Sequence, residues 1–256
     1  MNEFVSFDDL TAEALDAADD RIAEINRQLA AARAGEQSPE TALSEIRGLA
    51  NSLKGVGQTY GISVLRVLSH RLEDYLAEVK DLSDAVLDDV QVFADRTAEA
   101  LETHLKASAE EIAQFVRRLP AKGSAGFEVS DVRVRDIEVM LVMEPSTATR
   151  FVTRELQECG YRMTNVWSTI DAFQLVPHIR PDLVIVSNVM RDLTGVDFCC
   201  AIKAMPSTKD TLVALLTSES RDNVAFKALP EGVPVLSKSS RFGDDVTRVF
   251  SDLGLL

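Results

Sequence analysis

The sequence is poor in cysteine, and its three cysteines form no recognisable pair or cluster. Cys159, Cys199 and Cys200 are an odd set without C-x-x-C spacing among the 256 residues. This spacing favours neither a disulfide framework nor a zinc site. We therefore expect all three to be small buried residues.

Long apolar runs are also missing. No run approaches the roughly 20 apolar residues that span a bilayer. The first residues, MNEFVSFDDL, lack the basic-then-apolar order of a secretory signal. The sequence therefore predicts a cytoplasmic protein without a membrane partner.

Basic residues are the third scarce class. The chain has 27 Lys and Arg against 41 Asp and Glu, a net charge of −14. Residues 1–120 hold 23 of the acidic and 12 of the basic residues, so most of the excess lies there. Because such a chain repels nucleic-acid phosphates and anionic lipid, neither is expected as a partner. A partner with a basic docking face is favoured instead.

The first half has the period of amphipathic helices. From Asp8 to about Arg118 apolar residues recur at three- and four-residue spacing. Ser38 followed by Pro39 is typical of a capped helix start, and short connections favour antiparallel neighbours. We predict an all-α up-down helical bundle, with helices at 8–33, 39–58, 61–81 and 82–118.

In the second half, short apolar runs alternate with longer segments. The first three of these segments are long enough for one helix each. This alternation predicts an α/β doubly wound domain with a five-stranded parallel sheet, whose ligand site lies at the carboxyl ends of the strands. The predicted domains are a bundle at 1–120, a linker at 121–135 and a second domain at 136–256. The predicted strands are 137–143, 161–167, 182–187, 211–217 and 233–237.

Two motifs in the first half lie on consecutive predicted helices: LANSLKGVGQTYG, which contains Asn51, and VLSHRLEDYLAEV. In this order and spacing they resemble a histidine phosphotransfer domain of the CheA amino-terminal type. In that family the position of Asn51 holds the histidine that accepts the phosphate. The amide nitrogen of asparagine is delocalised and is not a nucleophile, so the standard reaction is not expected here.

The resemblance implies that Lys54, His70 and Glu73 belong to the polar cluster around the acceptor position, and we predict that Ser52 and Gly55 complete a partner-binding face with them and with Asn51. His70 falls away from the predicted apolar stripe of its helix, so we expect it to be accessible. The favoured role of His70 is a hydrogen bond with Glu73. The alternative role is that of a replacement phosphoacceptor.

The second half resembles a response-regulator receiver domain of flavodoxin-like fold. That family uses an acidic pair after the first strand, an aspartate ending the third, a Thr or Ser after the fourth and a Lys after the fifth. In this sequence those positions hold Met143 and Glu144, Ser187, Thr217 and Lys238. Serine forms no acyl phosphate and a thioether is a poor magnesium ligand, so neither the chemistry nor a metal is expected. We expect Glu144 and Lys238 to pair with each other.

The loss of both acceptors beside two retained scaffolds predicts contact rather than chemistry. The expected protein is not an enzyme and needs neither cofactor nor metal. It is a two-component signalling adaptor or regulator that binds a histidine kinase, a receiver domain, or both. Two alternatives stay open: phosphotransfer through His70, and a structural dimerisation module of a chemotaxis or motility complex.

Overall fold

The computed structural model describes residues 7–103, 105, 107–121, 136–220, 223–239 and 242–255. The chain divides into two units at residues 1–121 and 122–256. Of the predicted linker at 121–135, all but Ala121 lies outside the described residues. Across the described helices, none is both long and apolar enough to cross a membrane.

The first unit is helical, and Ser38 starts its second helix as predicted. The Ser38 hydroxyl accepts a hydrogen bond from Thr41 N at 3.2 Å, which satisfies a free amide at the helix start. Apolar side chains from the helices fill the core, among them Ile46, Leu68 and Phe93. The observed helices are α1 (Phe7–Ala34), α2 (Pro39–Thr59), α3 (Ser63–Leu76), α4 (Asp84–Thr103) and α5 (Ala109–Val116).

Two predicted helix ends are wrong, and local hydrogen bonds explain both. The fourth helix ends at Thr103, and Ser108 with Glu111 forms a capping box that starts α5 separately. The third helix ends at Leu76, where Arg47 of α2 donates to the carbonyl oxygen at 2.7 Å. The Arg47 side chain therefore binds the Leu76 carbonyl oxygen, which would accept a backbone hydrogen bond if the helix continued.

Helices α2 and α3 approach most closely at Gly57. A Cβ atom placed on Gly57 would lie 2.7 Å from the backbone nitrogen of Arg66. The turn between the helices contains Gly61 with φ of +68°, a conformation that favours glycine. This close approach sets the relative height of the side chains on the two helices.

The second unit contains the five predicted strands in a parallel sheet. The strand order β2-β1-β3-β4-β5 is that of flavodoxin-like doubly wound domains. The sheet strands are β1 (Glu138–Val142), β2 (Arg162–Val166), β3 (Leu183–Ser187), β4 (Leu212–Thr217) and β5 (Val235–Ser237). The helices are α6 (Thr147–Glu158), α7 (Thr169–Ile179), α8 (Gly195–Ala204) and α9 (Phe242–Asp252), and a 3-10 helix at Val224–Ala228 takes the place of an α-helix between β4 and β5.

Gly195 holds the start of α8 against the end of β3. A Cβ atom there would lie 2.6 Å from the Ser187 carbonyl oxygen, and Gly195 N donates to Asn188 O at 3.0 Å. The carboxyl ends of all five strands meet at one edge of the sheet. That edge therefore brings together Met143, Ser187, Thr217 and Lys238.

The expectation that all three cysteines are buried is right for Cys199 alone. Cys159 follows the last turn of α6 and is exposed, and Cys200 lies partly exposed on α8 with Sγ 3.2 Å from Ala228 O. Burial raises the pKa of the Cys199 thiol to about 12. The buried thiol is therefore protonated at neutral pH.

The close approach at Gly57 makes a stability prediction. Gly57→Ala should lower the free energy of unfolding by about 1–3 kcal/mol, because the new methyl group overlaps the backbone of α3. Gly55→Ala is the matched control on the same helix, since a Cβ there meets nothing within 4 Å in the described structure. The control should raise the free energy of unfolding by about 0.5–1 kcal/mol. Denaturant unfolding followed by far-UV circular dichroism measures both, and shifts of the same sign would contradict the packing described.

Candidate functional sites

Helices α2 and α3 bring Lys54 and Glu73 together. Lys54 Nζ donates to Glu73 Oε2 at 2.7 Å, and both side chains are partly exposed. Asn51 lies one turn before Lys54 and is exposed. Lys54 and Glu73, two members of the predicted polar cluster, therefore form an ion pair near the exposed Asn51.

Ser52 has a partner that the motifs do not indicate. Arg21 of α1 donates from Nε to Ser52 Oγ at 2.6 Å, and its Nη1 also donates to Ala17 O. Ser52 is thus tied to α1 instead of lying free on the predicted face. The only sequence signal for Arg21 is a basic residue within an acidic stretch of α1, and that signal does not point to Ser52.

The prediction that His70 is accessible is wrong. His70 is 7% exposed, and every residue from 67 to 72 is buried. The reason is that α3 packs against α2, α4 and α5, so its buried surface is wider than a single apolar stripe. A histidine outside the stripe is therefore still covered.

The exposed residues one turn on either side of Asn51 in α2 are glycines, and the partly exposed Lys54–Glu73 ion pair borders them. Gly48 and Gly55 lie one turn on either side of Asn51, and a Cβ on either glycine would meet nothing within 4 Å in the described structure. A glycine inside a helix costs about 0.5–1 kcal/mol relative to alanine, and packing within the described unit gives no reason for these two. We name Gly48, Asn51 and Gly55 the α2 strip.

At the sheet edge, Lys238 and Ser187 form the central contact. Lys238 Nζ donates to Ser187 Oγ at 2.8 Å, and Ser187 Oγ donates to Val189 O at 3.2 Å. Thr217 lies on the neighbouring strand, where its carbonyl accepts from Lys238 N at 2.8 Å. Met143 is buried at the end of β1. The structure therefore brings four of the five predicted pocket residues to one place.

The predicted pair between Glu144 and Lys238 is wrong. Glu144 Oε1 lies 3.3 Å from Nε of Arg191, which is on the connection after β3. Lys238 has the neutral hydroxyl of Ser187 as its partner. Burial of the ammonium lowers the pKa of Lys238 below its ordinary value.

The described residues contain no group of three or more His, Cys, Asp or Glu side chains placed to hold a metal ion. At the sheet edge, the carboxylate of Glu144 is engaged by Arg191, and Met143 and Ser187 supply no further carboxylate. Magnesium requires several oxygen ligands in near-octahedral geometry. The side chains present here do not fit such an ion.

Comparison with known proteins finds similarity to response regulators. No protein-family model matches the chain. The chain is 26% identical over 103 residues to the two-component response regulator-like protein APRR7 of Arabidopsis thaliana, a match that covers 40% of this chain and 14% of that protein. The chemotaxis response regulator CheY4 of Vibrio cholerae has a solved structure that matches with 21% identity over 46% of this chain and 98% of its own, at a TM-score of 0.40. The response regulator TrrA of Thermotoga maritima, solved with Mg²⁺ and BeF, matches with 24% identity and the same coverage and TM-score.

These matches support similarity to response regulators, and they do not test the roles predicted for individual motif residues. The chain spans a small part of the curated relative it matches, so the activity and partners of that protein are not transferred to it. The similarity to a response regulator-like protein agrees with the receiver-like interpretation. The flavodoxin-like strand order of the second unit agrees with it as well. None of the three proteins is described as a phosphotransfer bundle, and that interpretation of the helical unit stays a prediction.

The contact between Lys238 and Ser187 predicts how the lysine titrates. Ser187→Ala removes an acceptor from the ammonium and should lower the pKa of Lys238 further, whereas Ser187→Asp places a carboxylate there and should raise it. NMR titration of the Lys238 Cε resonance in the wild type and both variants measures the three values. An ordinary lysine pKa that is identical in all three proteins would contradict the described site.

Proposed function

We propose that this protein is a non-catalytic adaptor or regulator of two-component signalling that works by contact. One observation supports this most directly: both positions that the resemblances assign to a phosphoacceptor hold residues unable to carry the labile phosphate, Asn51 and Ser187, while their polar neighbours stay in place. Lys54 is paired with Glu73 at 2.7 Å, and Lys238 with Ser187 at 2.8 Å. The framework of each site is retained without its reactive atom.

The α2 strip is the proposed contact face of the helical unit. Its two glycines have no side chains, so a partner helix can approach the backbone of α2 closely. Its centre is uncharged in a unit whose charge is strongly negative. A partner that meets the strip with small or apolar residues, and the surrounding surface with basic ones, fits both properties.

The partner classes follow from the two resemblances. Phosphotransfer bundles present a helix hairpin to receiver domains and histidine kinases, and α2 with α3 is the corresponding hairpin here. By occupying such a partner without accepting phosphate, the chain would compete with an active phosphotransfer protein or hold a kinase near another component. Phosphotransfer through His70 has less support, because its ring is almost fully covered by neighbouring helices.

The α2 strip can be tested by adding charge at its centre. Gly55→Glu and Gly55→Lys should weaken binding to a histidine kinase or receiver partner by at least about tenfold, since an unpaired charge desolvated at an interface costs several kcal/mol. Using both signs separates desolvation from simple attraction or repulsion. Calorimetric titration of the partner with each variant gives the affinities.

Two variants serve as controls for that titration. Gly55→Ala adds a methyl group in open space without charge, and Ser187→Ala removes the hydroxyl at the sheet edge of the other unit. Ser187→Ala should bind the partner as the wild type does, and Gly55→Ala should lose less affinity than either charged variant, because a methyl group hinders close approach without adding a charge. Wild-type affinity in both charged variants, together with loss of binding in Ser187→Ala, would move the function to the second unit and refute the proposal.

A further inference from the structure

The carboxyl edge of the sheet carries exposed apolar side chains that the proposed function does not use. Trp167 directly follows β2 and Ile170 lies in the first turn of α7, while Val189 and Leu193 lie in the connection after β3. Each is more than a third exposed, and Val189 is 71% exposed. We name these four residues the rim patch.

The two segments that carry the rim patch lie next to each other. Strand β1 lies between β2 and β3, so the ends of the two outer strands are about 10 Å apart. Polar contacts join the segments that follow them: Ser168 Oγ lies 3.4 Å from Asp192 Oδ2, and Thr169 Oγ1 lies 3.5 Å from Leu193 O. The side chains of both segments therefore border the same edge.

Apolar exposure is concentrated at this place. Of the eight large apolar side chains that are exposed among the described residues, four belong to the rim patch. Single exposed apolar residues are normal on a soluble protein, whereas grouped ones mark surfaces that bind something. The grouping distinguishes the rim patch from the isolated Val92 of α4.

The charges around the rim patch indicate what it binds. Glu144, Asp171 and Asp192 lie in or beside the bordering segments, and Arg191 pairs with the first of them at 3.3 Å. With Arg191 and the partly buried Lys238 counted against these three carboxylates, the surroundings are still net negative. A second copy of this chain, with a charge of −14 and the same acidic border, is repelled.

We infer that the rim patch docks an amphipathic helix of a partner protein that carries basic residues beside its apolar face. An α-helix with its side chains is about 10–12 Å wide, which matches the separation of the β2 and β3 ends. Apolar side chains of the helix cover Trp167 and Val189, and its lysines or arginines meet the carboxylates. The inference concerns a different surface from the α2 strip, so it stands or falls independently of the proposed function.

The chain contains its own reporter for this inference. Trp167 is the single tryptophan among the 256 residues, so its emission reports on the rim patch without labelling. The full chain is titrated with a model helical peptide built of Leu and Lys. Two matched peptides act as controls: one of Leu and Glu, which reverses the charge, and one of Ser and Lys, which removes the apolar face.

We expect the Leu/Lys peptide to shift the emission to shorter wavelength, to protect Trp167 from acrylamide and to saturate. Both control peptides should bind at least about tenfold more weakly. The double variant Ile170→Ser with Val189→Ser removes apolar surface at exposed positions and should weaken the Leu/Lys peptide by about tenfold. Val92→Ser, at an exposed apolar position of the other unit, should leave the affinity unchanged.

Several results would overturn the inference. These are the lack of a saturable emission change, equal binding of either control peptide, and unchanged affinity in the double variant. Concentration-dependent self-association that the double variant abolishes would assign the rim patch to a second copy instead. If the Leu/Lys peptide fails to bind the rim patch while partner binding at the α2 strip is intact, the proposed function still holds. If partner binding at the α2 strip fails while the peptide binds, the inference about the rim patch still holds.

Discussion

Close backbone approach at two glycines is the constraint on which both sites depend. Because Gly57 has no side chain, the backbone of α3 can pass within 2.7 Å of the position that a Cβ atom would occupy. This close approach places Lys54 of α2 beside Glu73 of α3. Gly195 does the same in the second unit, where α8 starts against the carbonyl of Ser187. In each unit a glycine positions the polar groups of a candidate site.

The two candidate sites differ in their electrostatics. In the helical unit Lys54 and Glu73 pair with each other, so each of these two charges has a counter-ion near the neutral Asn51. At the sheet edge, Ser187 gives the partly buried ammonium of Lys238 a neutral partner, and desolvation of the ammonium lowers the pKa of Lys238. The charges of Lys54 and Glu73 therefore balance each other. At the sheet edge, by contrast, burial destabilises the charged form of Lys238.

Much of the fold follows from local patterns in the sequence. The periods of apolar residues predicted the main helices and the five strands, and Ser38 marked a helix start correctly. The sequence did not indicate which faces other elements cover, so it failed for His70, whose helix has three neighbours. It also failed for the contacts of Arg21 with Ser52 and of Arg191 with Glu144, because each joins residues from separate elements. Such pairs depend on packing that no local pattern encodes.

We propose that the helical unit keeps the framework of a phosphotransfer site without its acceptor. The most direct measurement is phosphate incorporation from labelled ATP by a histidine kinase that binds the chain, comparing the wild type with Asn51→His. We expect no label on the wild type and stable histidine-linked label on the variant, since Lys54 and Glu73 lie near that position. Label on the wild type, or a folded Asn51→His variant that binds the kinase and stays unlabelled, would contradict the proposal.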